Sequence, residues 1–577
     1  MNERPKSIWK KSWTGWRGLL LWFILFSVMF LFGLAVASIN LPFPWLFAIG
    51  LALVGVLLVA CIRRIFCWRN FKRFLFDLAC FATLVALFYA EENWRGKHDW
   101  EKFRKEWSAK GEHFDYASLV PPAVPNDQNL AMASIFVESI EAGYGSNVTY
   151  QWYGRTLTDQ ELSNLVNRLD FQLQAKNDNW PSNSFGSWQK SKLTRLKPWQ
   201  DYYRALVART NLFPVSPQPQ TSAQDVLLAL SKYNPAVEEL RQASQRPYAQ
   251  FPVYSNPDRP FDTLLPHLAM LKRVTQLLQL RAIAELQDNQ SQAALDDIKL
   301  MLRLIESLRG EPYLISQLVR LAMLEYDLQP IYEGLAEHQW SDVQLAKLDV
   351  ELAKLGYLAD YQHSMRGERA CAIATIEIVR QTRNLGILEG PNENLPVQNA
   401  LLHLVPSGWF YLNDLALAQM NQHVLLPLAD VQDRIVSPEA ERRANDAEID
   451  LATKSPRVNF IARMIYPALA GSVRKFAFAQ EAVDLARVAI ALERYRLAHG
   501  EYPGSLDALA PQFMEKIPHD IITGQPLKYR REANGQFVLY SVGWNETDDG
   551  GVVAFTKGQT PAVDISRGDW VWRYPAK

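Results

Sequence analysis

The first ninety residues contain three runs in which apolar residues follow one another almost without interruption. Residues 18–39 carry no charge over 22 positions, and residues 45–62 carry none over 18. A third run, residues 74–90, is shorter and contains Asp77 near its start. Because an α-helix rises about 1.5 Å per residue, about 20 apolar residues cross a hydrocarbon core of roughly 30 Å. The pattern predicts three transmembrane helices; for the third, an amphipathic helix lying at the membrane surface is the alternative.

Lysine and arginine are distributed unevenly around these runs. Basic residues precede the first run and fill the loop between the second and third, whereas the loop at 40–44 has no charge. The basic residues are Arg4, Lys6, Lys10, Lys11, Arg17, Arg63, Arg64, Arg69, Lys72 and Arg73. Cytoplasmic loops are enriched in such residues. The N-terminus is therefore predicted to be cytoplasmic, and three crossings place the chain beyond about residue 91 outside the cytoplasm. Without the third crossing, that large region would be cytoplasmic.

Helical patterns dominate the region that follows. We expect a membrane anchor at 1–92, a juxtamembrane helix with a proline-rich linker at 93–125, an α-helical domain at 126–470 and a smaller domain at 471–577. Ser222 and Asp225 predict the start of one helix, and Asn234 with Pro235 its end. Residues 261–308 predict two helices joined by a turn at 288–291, and a second pair is predicted at 312–336 and 341–358.

Paired helices of this kind are typical of tetratricopeptide arrays. Such arrays repeat with a fixed period of about 34 residues. No strict period of that length occurs in this chain. A solenoid-like arrangement and an irregular α domain are therefore both open.

Composition limits the classes of function. The chain has 61 Lys+Arg against 61 Asp+Glu, and a nucleic-acid-binding protein usually has a basic excess, so nucleic acid is excluded as a partner. Of the four cysteines, Cys61, Cys67 and Cys80 fall in the apolar region and only Cys371 lies beyond it. The region beyond residue 92 therefore cannot form an internal disulfide.

No established catalytic or cofactor motif occurs in the sequence. HExxH, GxSxG, the phosphate-binding P-loop and GxGxxG are all missing, so an enzyme is less expected than a non-enzyme. His267 lies among leucines, which favours a packed residue over a metal ligand. For Arg366, Glu368 and Arg369, an intramolecular ion network is favoured over a cluster that faces a groove.

The C-terminal region has a different pattern. A long helix is predicted from about residue 475 to Gly500, where glycine favours a helix end. Two segments, 527–531 and 537–542, have the residue pattern of β-strands. They predict a β-hairpin with its turn at Asn534 and Gly535. A polar, glycine-containing loop follows at 543–551.

This order of elements resembles the globular domain of the type II secretion major pseudopilins. The matching residues are Tyr495, Gly500, Tyr502, Pro503, Leu506, Leu509, Pro518, Asp520, Gly524, Tyr529, Tyr540, Ser541, Gly543, Gly550, Gly551, Asp564, Ile565 and Trp570. The resemblance implies a small α+β domain, but more than 450 residues precede it and no prepilin cleavage motif adjoins it, so a conventional pilus subunit is excluded. The whole chain also resembles large bacterial membrane-anchored proteins of unassigned activity.

The resemblance to the pseudopilins implies a calcium site in the polar loop. The expected ligands are Asp548, Asp549 and Asp564, because carboxylate oxygens are the ligands that calcium prefers. The alternative is a solvated acidic turn in which glycine supplies positive φ angles. No other cofactor is expected.

The expected fold is therefore mainly α, with three N-terminal transmembrane helices and a small C-terminal α+β domain. The expected function is that of a bacterial inner-membrane protein that faces the periplasm and acts as a non-enzymatic interaction or scaffold component. Its expected partners are the lipid bilayer and other envelope proteins. An envelope hydrolase and an accessory of a type II secretion or type IV pilus-like system are the alternatives.

Overall fold

The structure is a computed structural model, and it is mainly helical, as the sequence predicts. The residues that it describes are 27, 52, 54–56, 71–119, 121–136, 171–175, 178–210, 212–251, 254–256, 259–389, 396–453, 460–465, 469–558 and 561–575. The predicted spans 18–39 and 45–62 lie almost wholly outside the described residues. The chain divides into two compact units. The first comprises Met1–Trp107, Ile376–Ala416 and Lys454–Ile465, and the second comprises Ser108–Thr375, Leu417–Thr453 and Tyr466–Lys577.

Helices and strands are numbered here in chain order within the described residues. The helices are α1 Phe71–Ser108, α2 Lys197–Leu206, α3 Ser222–Leu230, α4 Asn234–Ala243, α5 His267–Gln287, α6 Ser291–Glu306, α7 Leu314–Ala336, α8 Asp342–Leu352, α9 Tyr357–Thr382, α10 Gly386–Glu389, α11 Pro396–Leu402, α12 Ser407–Met420, α13 Pro438–Thr453, α14 Ala462–Ile465 and α15 Ser472–His499. The strands are β1 Tyr254–Asn256, β2 Arg259–Leu264, β3 Ala429–Asp430, β4 Ile435–Val436, β5 Lys528–Arg531, β6 Phe537–Ser541, β7 Val553–Phe555, β8 Val563–Gly568 and β9 Trp570–Arg573.

Helix α1 contains the third predicted span and continues through the predicted juxtamembrane helix. The helical prediction for both is confirmed. Among the described residues, none of the helices combines the length and the apolar character that crossing a bilayer requires. Asp77 and Glu91 bound the 13 uncharged positions 78–90. As a helix these cover about 20 Å, against roughly 30 Å of hydrocarbon. The third span stays a prediction.

The helical core of the second unit is built from α5, α6 and α7, which pack against one another. The predicted turn at 288–291 is confirmed, since α5 ends at Gln287 and α6 begins at Ser291. Ser341 caps α8 through a reciprocal bond with Gln344. The helix predicted for 341–358 stops at Leu352, because the chain turns there and starts α9 at Tyr357.

The helix start predicted at Ser222 is confirmed, whereas the helix end predicted at Asn234 and Pro235 is wrong. The side chain that caps α3 belongs to Thr221, which accepts a hydrogen bond from the Gln224 amide. Asn234 and Pro235 do not end a helix but begin α4. Proline is tolerated in the first turn because its missing N–H has no helical partner there. The Asn-Pro pair is therefore a helix-boundary signal that was assigned to the wrong end.

The C-terminal region contains α15 and a three-stranded antiparallel sheet with the order β5–β6–β9. Gly500 ends α15 with φ +84°, and Gly535 forms the hairpin turn with φ +82°, so both predictions are confirmed. Strands β7, β8 and β9 were not predicted. Helix α15 packs against α7 and α8 as well as against β6, β8 and β9. Residues 471–577 therefore share one compact unit with α2 to α8.

Candidate functional site

Asp548, one of the three aspartates predicted to bind calcium, has partners in its own loop and on β5 and β6. Its Oδ1 accepts hydrogen bonds from the Tyr540 hydroxyl at 2.9 Å and from the Gly550 amide at 3.0 Å. These two bonds, with the Gly550 amide contributing most, hold the pKa of Asp548 below its usual value. Lys528 Nζ lies 3.4 Å from its other oxygen. Asp548 therefore stabilises the loop as an ionised hydrogen-bond acceptor.

Asp549 and Asp564 are likewise engaged locally. Asp549 Oδ2 accepts a hydrogen bond from Asn545 Nδ2 at 2.8 Å. Asp564 Oδ1 accepts from the Ser566 hydroxyl and amide, which lowers the pKa of Asp564. The described residues include no group of three or more His, Cys, Asp or Glu side chains placed to hold a metal ion. Calcium binding by these aspartates stays a prediction.

The carboxylate that organises this loop is Asp569, which the sequence pattern did not single out. Asp569 Oδ1 accepts the Asp549 amide at 3.2 Å, and its Oδ2 accepts the amides of Gly551 at 2.5 Å and Val552 at 3.2 Å. Gly551 has φ +79°, and a Cβ there would lie 2.9 Å from Val538 Cγ1. Burial raises the pKa of Asp569. The loop is therefore folded around a buried internal carboxylate.

A cleft of about 180 Å³ lies in the second unit, where three segments of the chain meet. The segments are the link from α8 into the first turn of α9, the turn between β3 and β4, and the middle of α15. Its apolar wall includes Leu352, Leu355, Leu358, Val431 and Val483. Its polar residues are Arg434, Gln480, Asp484 and Arg487. We call this feature the arginine cleft.

Arg487 lies between an acidic partner and the arginine cleft. Its Nε donates to Asp349 Oδ1 at 2.7 Å. Within the part of the chain that the structure describes, its two terminal amino groups make no hydrogen bond. Seven residues along α15, Arg494 Nε donates to Asp342 Oδ1, also at 2.7 Å. Seven residues are about two helical turns. The two pairs therefore repeat one contact between α8 and α15, and only Arg487 lines the cleft.

Arg434 forms the rim of the arginine cleft on the β3–β4 turn. Asp430 Oδ1 accepts the amides of Gln432 and Asp433, both at 2.9 Å, which fixes the turn. Arg434 adopts φ +54° and pairs through Nη2 with Asp484 Oδ2. Asp484 is buried, and burial raises its pKa despite the arginine.

Gln480 and Glu481 hold the neighbouring segments against α15. Gln480 Oε1 accepts the Tyr357 amide at 2.9 Å, which fixes the start of α9 at the cleft. Glu481 Oε2 accepts the Ile521 amide at 3.0 Å. Burial, followed by the nearby carboxyl of Asp520, raises the pKa of Glu481 well above its usual value. Glu481 therefore holds the 520–524 turn against α15.

A ring of four charged side chains lies among α6, α7 and α9. Arg320 pairs with Glu306 and Asp360, and Arg309 lies 3.4 Å from both of these carboxylates. Arg320 is fully buried and also donates to the Ile305 carbonyl at 3.0 Å. Because the four charges sum to zero and each contacts two partners, we assign this ring a structural role.

The predicted ion network around Arg366 and Arg369 is confirmed. Arg366 and Arg369 both donate to the Glu112 carboxylate, at 2.8 and 2.7 Å. Glu368 accepts the Leu314 amide at 3.0 Å, so it stabilises the start of α7. Burial opposes ionisation of Glu112, but the two arginines hold the pKa of Glu112 below its usual value.

His267 and Cys371 are both packed residues. His267 stacks on Phe251 with the rings 4.6 Å apart, and its Nε2 lies 2.7 Å from Glu311 Oε1. This confirms the packed role predicted for His267. Burial raises the pKa of the Cys371 thiol to about 12, which keeps it protonated and unreactive at neutral pH.

No protein-family model, curated protein or solved structure matches the chain. Sequence reasoning did not single out the residues of the arginine cleft or Asp569. The cleft residues come from three segments far apart in the chain, so they leave no local motif. One signal was present: Asp342 and Asp349 on α8 have the same seven-residue spacing as Arg487 and Arg494 on α15.

Proposed function

We propose that this chain is a bacterial inner-membrane protein whose N-terminus is cytoplasmic, and whose helical region faces the periplasm and binds protein partners. The observation that carries the membrane proposal is the surface of α1 between residues 75 and 88. Every residue in this stretch is exposed. The large apolar ones are Leu75, Phe76, Leu78, Phe81, Leu84, Val85, Leu87 and Phe88.

These side chains surround the helix on all sides. Successive helical residues are turned by about 100°, so eight apolar positions within 14 residues leave no polar face. A helix that is apolar all round is stable only when other apolar material covers it. Lipid chains supply such material.

The remainder of α1 has a different environment. Gly96, Trp100 and Phe103 are buried, at a helical spacing of four and three residues. The Tyr89 hydroxyl donates to the Leu404 carbonyl, and Trp409 Nε1 donates to Glu92 Oε2 at 2.9 Å. The change from exposed apolar residues to protein contacts falls near residue 89. This supports a boundary between lipid and protein at that point.

The orientation depends on how 74–90 meets the bilayer. The basic residues before 18–39 and after 45–62 support a cytoplasmic N-terminus. Because 78–90 is shorter than a full span, a crossing requires Asp77 to lie at the interface or the bilayer to thin locally. A periplasmic location for the bulk of the chain follows from that crossing.

The partner-binding part of the proposal draws on the helices and on the C-terminal sheet. The consecutive packing of α5, α6 and α7 supports a helical array, which offers an extended surface to partners. The packing of α15 on the antiparallel sheet β5–β6–β9 supports the likeness to pseudopilin domains. An accessory role in a type II secretion or pilus-like system is therefore the second candidate.

Extraction and reporter fusions test the proposal. Membranes that contain the full chain are washed with alkaline carbonate, and the chain is expected to stay in the pellet. Reporters fused after residue 110 and at the C-terminus are expected to be active outside the cytoplasm. Release into the supernatant would overturn the anchoring, and cytoplasmic reporter activity would overturn the orientation.

Affinity capture of the intact chain after crosslinking in membranes tests the partner proposal. A reproducible envelope partner supports the interaction role, and copurified secretion or pilus components support the accessory role. If no protein is captured with this chain that is not also captured with an unrelated membrane protein, both roles are contradicted.

A further inference from the structure

We propose that the arginine cleft binds a carboxylate group carried next to a short aliphatic group. Two sources share this chemistry: a free amino acid or fatty acid of small size, and the C-terminus of a polypeptide that ends in an aliphatic residue. The inference does not depend on membrane anchoring, because every residue that lines the cleft belongs to the second unit.

The carboxylate is assigned to Arg487. A guanidinium group presents its donors in a planar fork that matches the two oxygens of a carboxylate. Asp349 uses only the Nε of Arg487, at 2.7 Å, so both terminal amino groups remain available to a ligand. Asp349 also holds the side chain in place, and its orientation is therefore set before a ligand arrives.

The aliphatic group is assigned to the apolar residues that line the cleft. Leu352, Leu355, Leu358 and Val483 are buried there, whereas Val431 is 38% exposed at the rim. The volume of about 180 Å³ is smaller than the roughly 300–1,000 Å³ of pockets for drug-sized ligands. It therefore suits a single side chain with its attached carboxylate.

The charges around the arginine cleft are compatible with an anion. Asp484 lines the cleft and is paired with Arg434. Asp349 of α8 pairs with the Nε of Arg487 and is outside the cleft lining. The first turn of α9, a helix of 26 residues, adds partial positive charge from its backbone amides. An incoming carboxylate thus meets the guanidinium groups of Arg434 and Arg487, each of which has one acidic partner.

Calorimetric titration of the full chain in detergent tests the proposal. The ligands are 4-methylpentanoate, leucine and an acetylated tetrapeptide that ends in leucine. The affinity of each acid is compared with that of the corresponding neutral amide. We expect the amides to bind at least about tenfold more weakly, because they lose the charged hydrogen bonds. Tighter binding of the small acids identifies a free ligand, and tighter binding of the tetrapeptide identifies a chain terminus. Equal affinity for acids and amides, or no binding by any acid, overturns the proposal.

The matched variants are R487Q and R494Q. Both arginines lie on α15 and pair with an aspartate of α8 at 2.7 Å, but only Arg487 lines the cleft. We expect R487Q to weaken acid binding at least about tenfold and R494Q to change it less than about twofold. Equal effects would overturn the assignment.

If R487Q unfolds, a second variant tests the same proposal. V431E places a carboxylate at the exposed rim, where it repels an anionic ligand without filling the core. V343E adds the same charge at a residue of α8 that is 63% exposed and outside the cleft. We expect only V431E to abolish binding, and unchanged binding in V431E would overturn the proposal.

Discussion

Gly96 of α1 and Gly408 of α12 meet at a helix crossing that leaves no room for a side chain. A Cβ on Gly96 would lie 2.1 Å from the Gly408 carbonyl oxygen, and a Cβ on Gly408 would lie 1.9 Å from the Glu92 carbonyl oxygen. Real Cβ atoms do not approach backbone oxygen this closely. Asn93 Oδ1 also accepts the Gly408 amide at 2.8 Å. The crossing therefore fixes the second half of α1 within the first unit.

Alanine at either glycine is expected to destabilise the protein. G96A and G408A force the two backbones apart, and overpacking of this kind costs about 1–3 kcal/mol. Thermal unfolding of the detergent-solubilised chain measures the loss. G504A is the control, because nothing lies within 4 Å of a Cβ there. If G96A and G504A melt at the same temperature, the close crossing is not present in solution.

Glu333 predicts a pH dependence of stability. Its Oε1 accepts hydrogen bonds from the Thr194 amide at 3.0 Å and hydroxyl at 2.6 Å. Burial raises the pKa of Glu333 from its usual 4.5 to about 7. Between these values the folded chain keeps a proton that the unfolded chain has released. The contribution of Glu333 to stability is therefore full below about pH 4.5 and falls as the pH rises to about 7, by at most about 3 kcal/mol.

The variant E333Q is expected to remove this fall, because its amide does not titrate. The measurement is the free energy of unfolding at pH 5 and pH 7.5 for the wild type and the variant. E515Q, at an exposed glutamate of the C-terminal region, is the control. If the wild-type difference persists in E333Q as it does in E515Q, the role of Glu333 is refuted.

Arg366 and Arg369 share the Glu112 carboxylate but differ in burial. The Arg369 side chain is fully buried, whereas that of Arg366 is 29% exposed. Removing the buried partner leaves a poorly compensated charge, so R369M is expected to lose roughly 3–5 kcal/mol of stability. R366M is expected to lose about 1 kcal/mol or less. Urea unfolding compares the two variants, and equal losses would show that burial does not decide the contribution.

The Asp569 carboxylate accepts three backbone amides of the 549–552 segment. An asparagine keeps only one oxygen, so D569N leaves at least one of the three amides without its acceptor. We expect a loss of about 1–3 kcal/mol and faster hydrogen exchange at one or more of the Asp549, Gly551 and Val552 amides. D507N, at an exposed aspartate of the turn Leu506–Leu509, is the control. Unchanged exchange in D569N would contradict the organising role of Asp569.

Local signals in the sequence predicted the local structure well. Gly500 and Gly535 were identified because only glycine adopts their φ angles without strain, and the turn at 288–291 was identified because the apolar period breaks there. Strand β9 was missed since Trp570–Arg573 pairs with β6 across 30 residues and has no turn signal of its own. The arginine cleft was missed for the same reason. Asp349, Arg434 and Arg487 are distant in the sequence and are brought together only by packing, so no local sequence pattern indicates their proximity.

The thiol of Cys80 provides the most direct measurement of the central claim, that lipid covers residues 75–88 of α1. Cys80 is exposed within this stretch. In a chain with Cys61 and Cys67 replaced by serine and Cys371 by alanine, a water-soluble maleimide is applied to opened membrane vesicles and again after detergent. S108C in a Cys80→Ser background, at the exposed end of α1, is the control. The account predicts that Cys80 reacts only after detergent, whereas S108C reacts in opened vesicles without it. Rapid labelling of Cys80 in undissolved, opened vesicles would contradict the account.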